Sequence, residues 1–240
     1  MSINKPTTLF LALCASLSSG PVLADIKMNG NPIITKVSVQ SLEYGFGSGA
    51  NTLNWEQAQL QIGTDLNGLS IRSNGHTENG KVEEANLIVQ YSRGISAFWD
   101  LQAGWKRDIR PQPNRDSAVF GLSGTAPYSF EVESYVGIGR GGNIEFYLDA
   151  EKELLITNRW MLAPQFSVNA FSQKDTEVGI GSGVNETELA LRLHYVWRKN
   201  LLPYIGIAYV QEYGETADLT RAEGDSTHNT QWVVGIQGWL

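Results

Sequence analysis

The chain has 240 residues, 42% of them hydrophobic, with a mean hydropathy of −0.21 and a formal net charge of −7 at pH 7 from 18 basic and 25 acidic residues. That acidic surplus repels nucleic acid and favours cations, and the negative hydropathy argues against a bundle of membrane helices. The length suits one ordinary domain or one barrel.

Residues 1–24 read as a secretory signal peptide. Lys5 supplies the positive start, Leu9 to Leu17 the apolar core, and Val22 and Ala24 the small residues of a cleavage site near Ala24. Cys14, the sole cysteine, falls inside that segment, so the mature chain is expected to hold no thiol, disulfide or thiolate metal site. Cleavage also removes Lys5 and no acid, leaving 17 basic against 25 acidic residues. Asp25 to Ile34 then forms a short periplasmic N-terminal segment, and residues 35–240 form a single domain.

Twelve stretches with period-two alternation follow, each near the about 9 to 11 residues that a tilted strand needs to cross a bilayer. In chain order they are Thr35 to Tyr44, Leu53 to Gly63, Leu69 to Asn74, Glu83 to Ser92, Phe98 to Asp108 and Ser117 to Gly124. Tyr128 to Ile138, Ile144 to Leu154, Trp160 to Phe171, Thr187 to Trp197, Pro203 to Tyr213 and Thr230 to Leu240 complete the set. In the eighth, Ile144, Phe146, Leu148 and Ala150 share one parity while Glu145, Tyr147, Asp149 and Glu151 share the other. In the first, Val37 and Val39 prefer one face and Leu42 and Tyr44 the other, which predicts a β-bulge between them.

The connections alternate in length. Asp65 to Gly68, Arg93 to Ala97, Thr125 to Pro127, Ile156 to Arg159 and Arg198 to Leu202 are short. Gly45 to Thr52, Gly75 to Val82, Ile109 to Asp116, Gly139 to Asn143, Ser172 to Glu186 and Gly214 to Asn229 are mostly longer and rich in turn residues. After residue 24 no segment approaches the about 18 consecutive apolar residues of a membrane helix, so a membrane-crossing chain of this pattern must close into a barrel that satisfies its own backbone. The expectation is an all-β, transmembrane antiparallel β-barrel of twelve strands, with both termini periplasmic on the short-turn side. Aromatic residues collect at strand ends, as interfacial belts do: Tyr91, Trp99, Trp160, Trp197 and Tyr204 at one rim, and Phe46, Trp55, Trp105, Tyr213 and Trp232 at the other.

With the apolar parity facing lipid, the lumen receives Glu84, Gln90, Asp100, Lys106, Glu131, Glu133, Tyr135, Glu145, Asp149, Glu151, Gln165, Glu188, Arg192 and His194. Glu131 with Glu133, and Asp149 with Glu151, stand about 6 to 7 Å apart along their strands, a spacing that admits a cation. The candidate metal-binding residues are therefore Glu131, Glu133, Asp149, Glu151, Glu188 and His194, with Arg192 and Lys106 limiting passage. Ion-pair networks filling a narrow lumen are the competing structural reading. Met28 and Met161 are the methionines left after cleavage, which provides no soft thioether cluster for Cu(I). No histidine has a serine two residues after it, and Gly179-Ile180-Gly181-Ser182-Gly183 precedes a strand rather than a helix, so neither a barrel hydrolase nor a phosphate loop is expected.

Several segments carry a resemblance. Trp99-Asp100-Leu101-Gln102-Ala103-Gly104-Trp105, Arg110-Pro111 with Arg115-Asp116, Ala126-Pro127-Tyr128 with Phe130-Glu131-Val132, and Gly179-Ile180-Gly181-Ser182-Gly183 resemble the bacterial copper-resistance protein B family of outer-membrane proteins. Leu42-Glu43-Tyr44, Tyr91-Ser92-Arg93, Leu191-Arg192-Leu193 and Pro203-Tyr204-Ile205-Gly206 agree in the same order, over about Val37 to Leu240. The resemblance implies an outer-membrane barrel of copper resistance that binds or exports copper beside periplasmic copper-handling proteins. Many members carry a methionine- and histidine-rich segment before the barrel, where this chain has Asp25 to Ile34. The expected function is binding copper ions or conducting them outward, without enzymatic activity. The alternative is a barrel with a plugged lumen whose function resides in the loops Ser172 to Glu186 and Gly214 to Asn229.

Overall fold

A computed structural model describes residues 32–47 and 50–240. The expected signal peptide and most of the Asp25 to Ile34 segment lie outside the described residues. The strands are β1 (Ile34–Gly47), β2 (Thr52–Gly63), β3 (Asn67–Glu78), β4 (Lys81–Gly94), β5 (Trp99–Arg110) and β6 (Arg115–Ala126). They continue as β7 (Phe130–Gly139), β8 (Ile144–Lys152, extended by Leu154–Leu155), β9 (Trp160–Phe171), β10 (Gly183–Tyr195), β11 (Leu201–Glu212) and β12 (His228–Trp239). Each pairs antiparallel with its neighbours in sequence, and β12 pairs with β1, so the sheet closes on itself. The expected twelve-stranded barrel is the fold, and closure leaves the sheet no open edge.

The distribution of side chains is inverted relative to a water-soluble protein. Phe120, Leu189, Ile205, Trp232 and Val234 are each about half exposed on the outer surface, while Glu43, Lys106, Asp149 and Arg192 are 5% exposed or less inside. The apolar parity faces outward along the whole wall, as hydrocarbon surroundings require.

The parity expected to change in β1 does so at a bulge between Val39 and Leu42. A second bulge, not expected, lies in β2 between Trp55 and Ala58, where Gln57 adopts a φ of 45°. It moves the outward set from Leu53 to Leu60 and Ile62, and turns Glu56 toward the lumen.

Both ends of the described chain lie at one rim, where connections 64–66, 95–98, 127–129, 156–159 and 196–200 are short. The far rim differs from expectation in two places. Gly75 to Val82 is not a loop: β3 and β4 run to a two-residue turn at Asn79 and Gly80, both left-handed with φ of 49° and 81°. Asn-Gly is the pair that such a hairpin turn selects. Gly214 to Asn229 is not all loop either, because it contains the helix α1 (Gly214–Glu223). The aromatic belts need one correction as well. Tyr204 points inward and is 3% exposed.

Candidate functional site

The strand register brings four of the six expected metal-binding residues face to face. Glu131 lies opposite Glu151, and Glu133 opposite Asp149, on the inner faces of β7 and β8. Directly opposed residues have Cβ atoms about 4.5 to 5.5 Å apart, so the acids form a four-cornered patch rather than two separate pairs along strands. Glu131 and Glu151 sit nearer the terminal rim, and Glu131 is exposed there. Glu133 and Asp149 lie one step deeper.

Most of the donors that meet these acids are neutral. Gln40 Nε2 donates to Glu151 at 3.0 Å, Gln57 Nε2 to Glu133 at 2.7 Å, and Gln165 Nε2 to Asp149 at 2.7 Å. Arg72 is the exception, pairing with Glu133 from β3. The amides satisfy lone pairs without contributing positive charge, which leaves Arg72 to offset Glu133.

Glu188 stands apart from this patch, on β10. It lies 3.6 Å from Arg192, whose guanidinium also donates to Glu43 at 2.8 Å and to the Gln165 side-chain oxygen. Asp149, Gln165, Arg192 and Glu43 thus form one chain of bonds from β8 through β9 and β10 to β1. His194, 2% exposed, belongs to a row across four strands: Met161, His194, Tyr204 and Gly235 are successive cross-strand partners on β9 to β12. The absence of a side chain at Gly235 gives the Tyr204 ring its place, since a Cβ there would collide with it. His194 stacks on Tyr204 at 4.7 Å and 14°, and the Tyr204 hydroxyl lies 2.7 Å from Ser41 Oγ. Neither ring nitrogen of His194 has a hydrogen-bond partner among the described residues.

Lys106 forms a separate cluster toward the far rim. Its Nζ lies 2.6 Å and 2.8 Å from the two Glu145 oxygens and 3.3 Å from Asp108, while the Tyr135 hydroxyl donates to Glu145 at 3.0 Å.

Many of these bonds bridge the lumen. Gln40 reaches from β1 to β8, Gln57 from β2 to β7, Arg72 from β3 to β7 and Lys106 from β5 to β8. Enclosed among Gln40, Glu56, Glu151, Gln165, Arg192 and His194 is a cavity of about 10 Å³, which is room for one water. Among the described residues, no three His, Cys, Asp or Glu side chains are arranged to ligate one metal ion together. The oxygen donors suit hard or borderline divalent ions, and His194 with Met161 adds a nitrogen and a sulfur donor.

Glu43, Glu56 and Arg72 went unrecognised in the sequence, the first two because bulges reset the parity that would place them inward. The loops at the far rim also meet. Thr216 Oγ1 of α1 accepts from Gly181 N at 2.9 Å and Asn185 Nδ2 at 2.6 Å, and Glu215 accepts from Ser182 N at 3.1 Å and Ser182 Oγ at 2.9 Å. A Cβ at Gly181 would collide with the Thr216 backbone, which is why the glycine run fits against the helix. The bonds from Ser182 hold the Glu215 carboxyl below its ordinary range.

The sequence model of the family described as Copper resistance protein B precursor (CopB) matches residues 33–240. The chain belongs to the CopB family. It is 35% identical over 204 residues to a copper resistance protein B of Escherichia coli, covering 85% of this chain and 69% of that protein. A copper resistance protein B homolog of Pseudomonas syringae pv. tomato is 34% identical over 199 residues, covering 83% and 67%. Among solved structures, the barrel is similar to the NanC porin, with a TM-score of 0.54 at 15% identity over 85% of this chain and 99% of that one. The KdgM porin follows with a TM-score of 0.50 at 13% identity, over 84% and 98%. At those identities the likeness is one of fold: an outer-membrane-type barrel. The CopB match thus spans the whole barrel, including both acid-bearing strands and the His194 row.

Proposed function

We propose that this CopB-family protein serves copper resistance from the outer membrane, not as an enzyme, by binding copper ions on the acidic inner wall of β7 and β8. The outward apolar wall and the short turns at the terminal rim support a barrel with that rim in the periplasm; a signal peptide cleaved near Ala24 would route it there. In that orientation Glu131 and Glu151 stand at the periplasmic mouth, where they meet cations first. Glu133 and Asp149 form the next step; His194, one residue from the terminal-rim end of β10, lines the same small cavity as Glu151, and Glu188 lies six residues further along that strand.

The register that sets Glu131 opposite Glu151 and Glu133 opposite Asp149 carries this reading. Like charges held opposite one another are unfavourable without a counter-ion, and a divalent cation supplies one. Copper is cargo here, received from periplasmic copper-handling proteins, and the oxygen donors favour Cu(II). Passage through the lumen requires the Gln40–Glu151 and Gln57–Glu133 bonds to part, so binding comes first and conduction depends on opening them.

Cells lacking the protein should survive copper less well than cells carrying it. In the purified barrel, Glu131→Gln with Glu151→Gln should weaken Cu(II) binding about tenfold, equivalent to about 1.4 kcal/mol. Unchanged copper affinity in that variant removes the patch from the mechanism, and a steady, large open-channel current in planar bilayers replaces binding with conduction.

A further inference from the structure

The far-rim ends of β5, β6 and β7 form an open groove of about 400 Å³ on the outer face of the barrel. Its floor is Ala118, whose cross-strand partners are Trp105 on β5 and Ile138 on β7. A methyl group between an indole and a branched aliphatic chain leaves a trough running along the wall. Trp105 and Ile138 are 39% and 48% exposed on the lipid-facing parity, so the trough opens toward hydrocarbon.

Two arginines line the same groove at the rim, Arg107 on β5 and Arg140 just after β7. Arg107 lies over Trp105 at 5.9 Å from the ring centroid, with its side chain 43% exposed. Asp116 is its cross-strand partner, but the closest approach, Arg107 Nε to Asp116 Oδ1, is 3.6 Å. Neither of those atoms has a hydrogen-bond partner among the described residues, so the pair is not closed by a hydrogen bond. A net cationic edge above an apolar trough has the polarity of a lipid with an anionic headgroup, and the planar guanidinium fork matches phosphate oxygens in particular.

We propose that this groove binds a phosphate-bearing membrane lipid, with an acyl chain along Ala118 between Trp105 and Ile138 and the phosphate between Arg107 and Arg140. The inference rests on the outer-membrane placement proposed above, in which the far rim meets the outer leaflet, where phosphorylated glycolipids of the lipid A type reside.

The test is native mass spectrometry of the purified, delipidated barrel in detergent, titrated with lipid A and with dephosphorylated lipid A, no copper being present. One retained lipid A and binding about tenfold weaker without the phosphates are expected. Arg107→Gln with Arg140→Gln should reduce lipid A binding to the dephosphorylated level, and Ala118→Leu, which fills the trough, should weaken both lipids. Heat-modifiable migration in SDS gels verifies that each variant is folded. Equal binding of the two lipids by the unmodified protein overturns the proposal without any variant, and so does inorganic phosphate displacing lipid A at equal concentration. A barrel that selects lipid A but leaves copper survival unchanged would refute the copper reading and leave this one standing.

Discussion

The two charged clusters inside the barrel are built on different principles. Around Lys106 a cation is held by both oxygens of Glu145 and approached by Asp108, so charge meets charge. On β7 and β8, three of the four carboxylates receive donors mainly from glutamines, with Arg72 the cation bonded to Glu133. Both arrangements satisfy hydrogen bonds, but only the first approaches neutrality. An amide is a donor that leaves a carboxylate its charge. The difference separates a cluster whose charges are paired from one whose acids meet mainly neutral donors, though both are polar and both face the lumen.

The largest effect should come from breaking the paired cluster. Lys106→Ala leaves Glu145 buried without its counter-charge and should cost about 3 to 5 kcal/mol, read as a lower urea midpoint for unfolding in detergent. Glu131→Gln with Glu151→Gln should not lower that midpoint, since it relieves opposed like charges.

A smaller effect sharpens the contrast by making the acidic cluster resemble the paired one. Gln40→Lys replaces a neutral donor to Glu151 with a charged one. Cu(II) binding should weaken by about tenfold, as titration calorimetry would register, while the unfolding midpoint holds or rises. Retained affinity would mean that residual charge is not what attracts the metal.

The smallest effect lies outside the barrel, where α1 meets Ser182. The Glu215 carboxyl is held below its ordinary range by bonds from Ser182, so the contact favours the ionised form. Its contribution is therefore complete above the ordinary carboxylate range and declines as pH falls through the lowered value. Amide exchange at Ser182 should quicken in Glu215→Gln at neutral pH. In the unmodified protein it should quicken only in acid, after correction for the intrinsic pH dependence of exchange.

The barrel was legible in the sequence because outward apolar and inward polar residues alternate with period two, and that signal survives in nearly every strand. It failed where the backbone leaves the period. The bulge at Gln57 hid Glu56, and the one before Leu42 obscured Glu43, so the partners of Arg192 went unnoticed while Arg192 itself did not. The turn at Asn79 and Gly80 was readable from its residue pair, yet the polar run from Gly75 to Val82 outweighed it as a loop signal. The helix α1 had no clear sequence signal, because a short polar segment with one buried residue among those described, Ala217, lacks an apolar stripe. For the candidate site, residue types and lumenal faces could be read from parity. The opposition of Glu131 to Glu151, and of Met161 to His194, could not, since register depends on turn lengths and bulges that alternation does not encode.

The seam between β1 and β12 has a consequence for how the protein is made. β1 gains its second partner only when the final strand has been synthesised, and Val37 and Leu240 then exchange two backbone hydrogen bonds, at 3.0 Å and 2.8 Å. Until that moment the first strand is an unpaired edge available to any neighbouring chain. An appendage fused after Leu240 would sit beside the joint that closes the sheet.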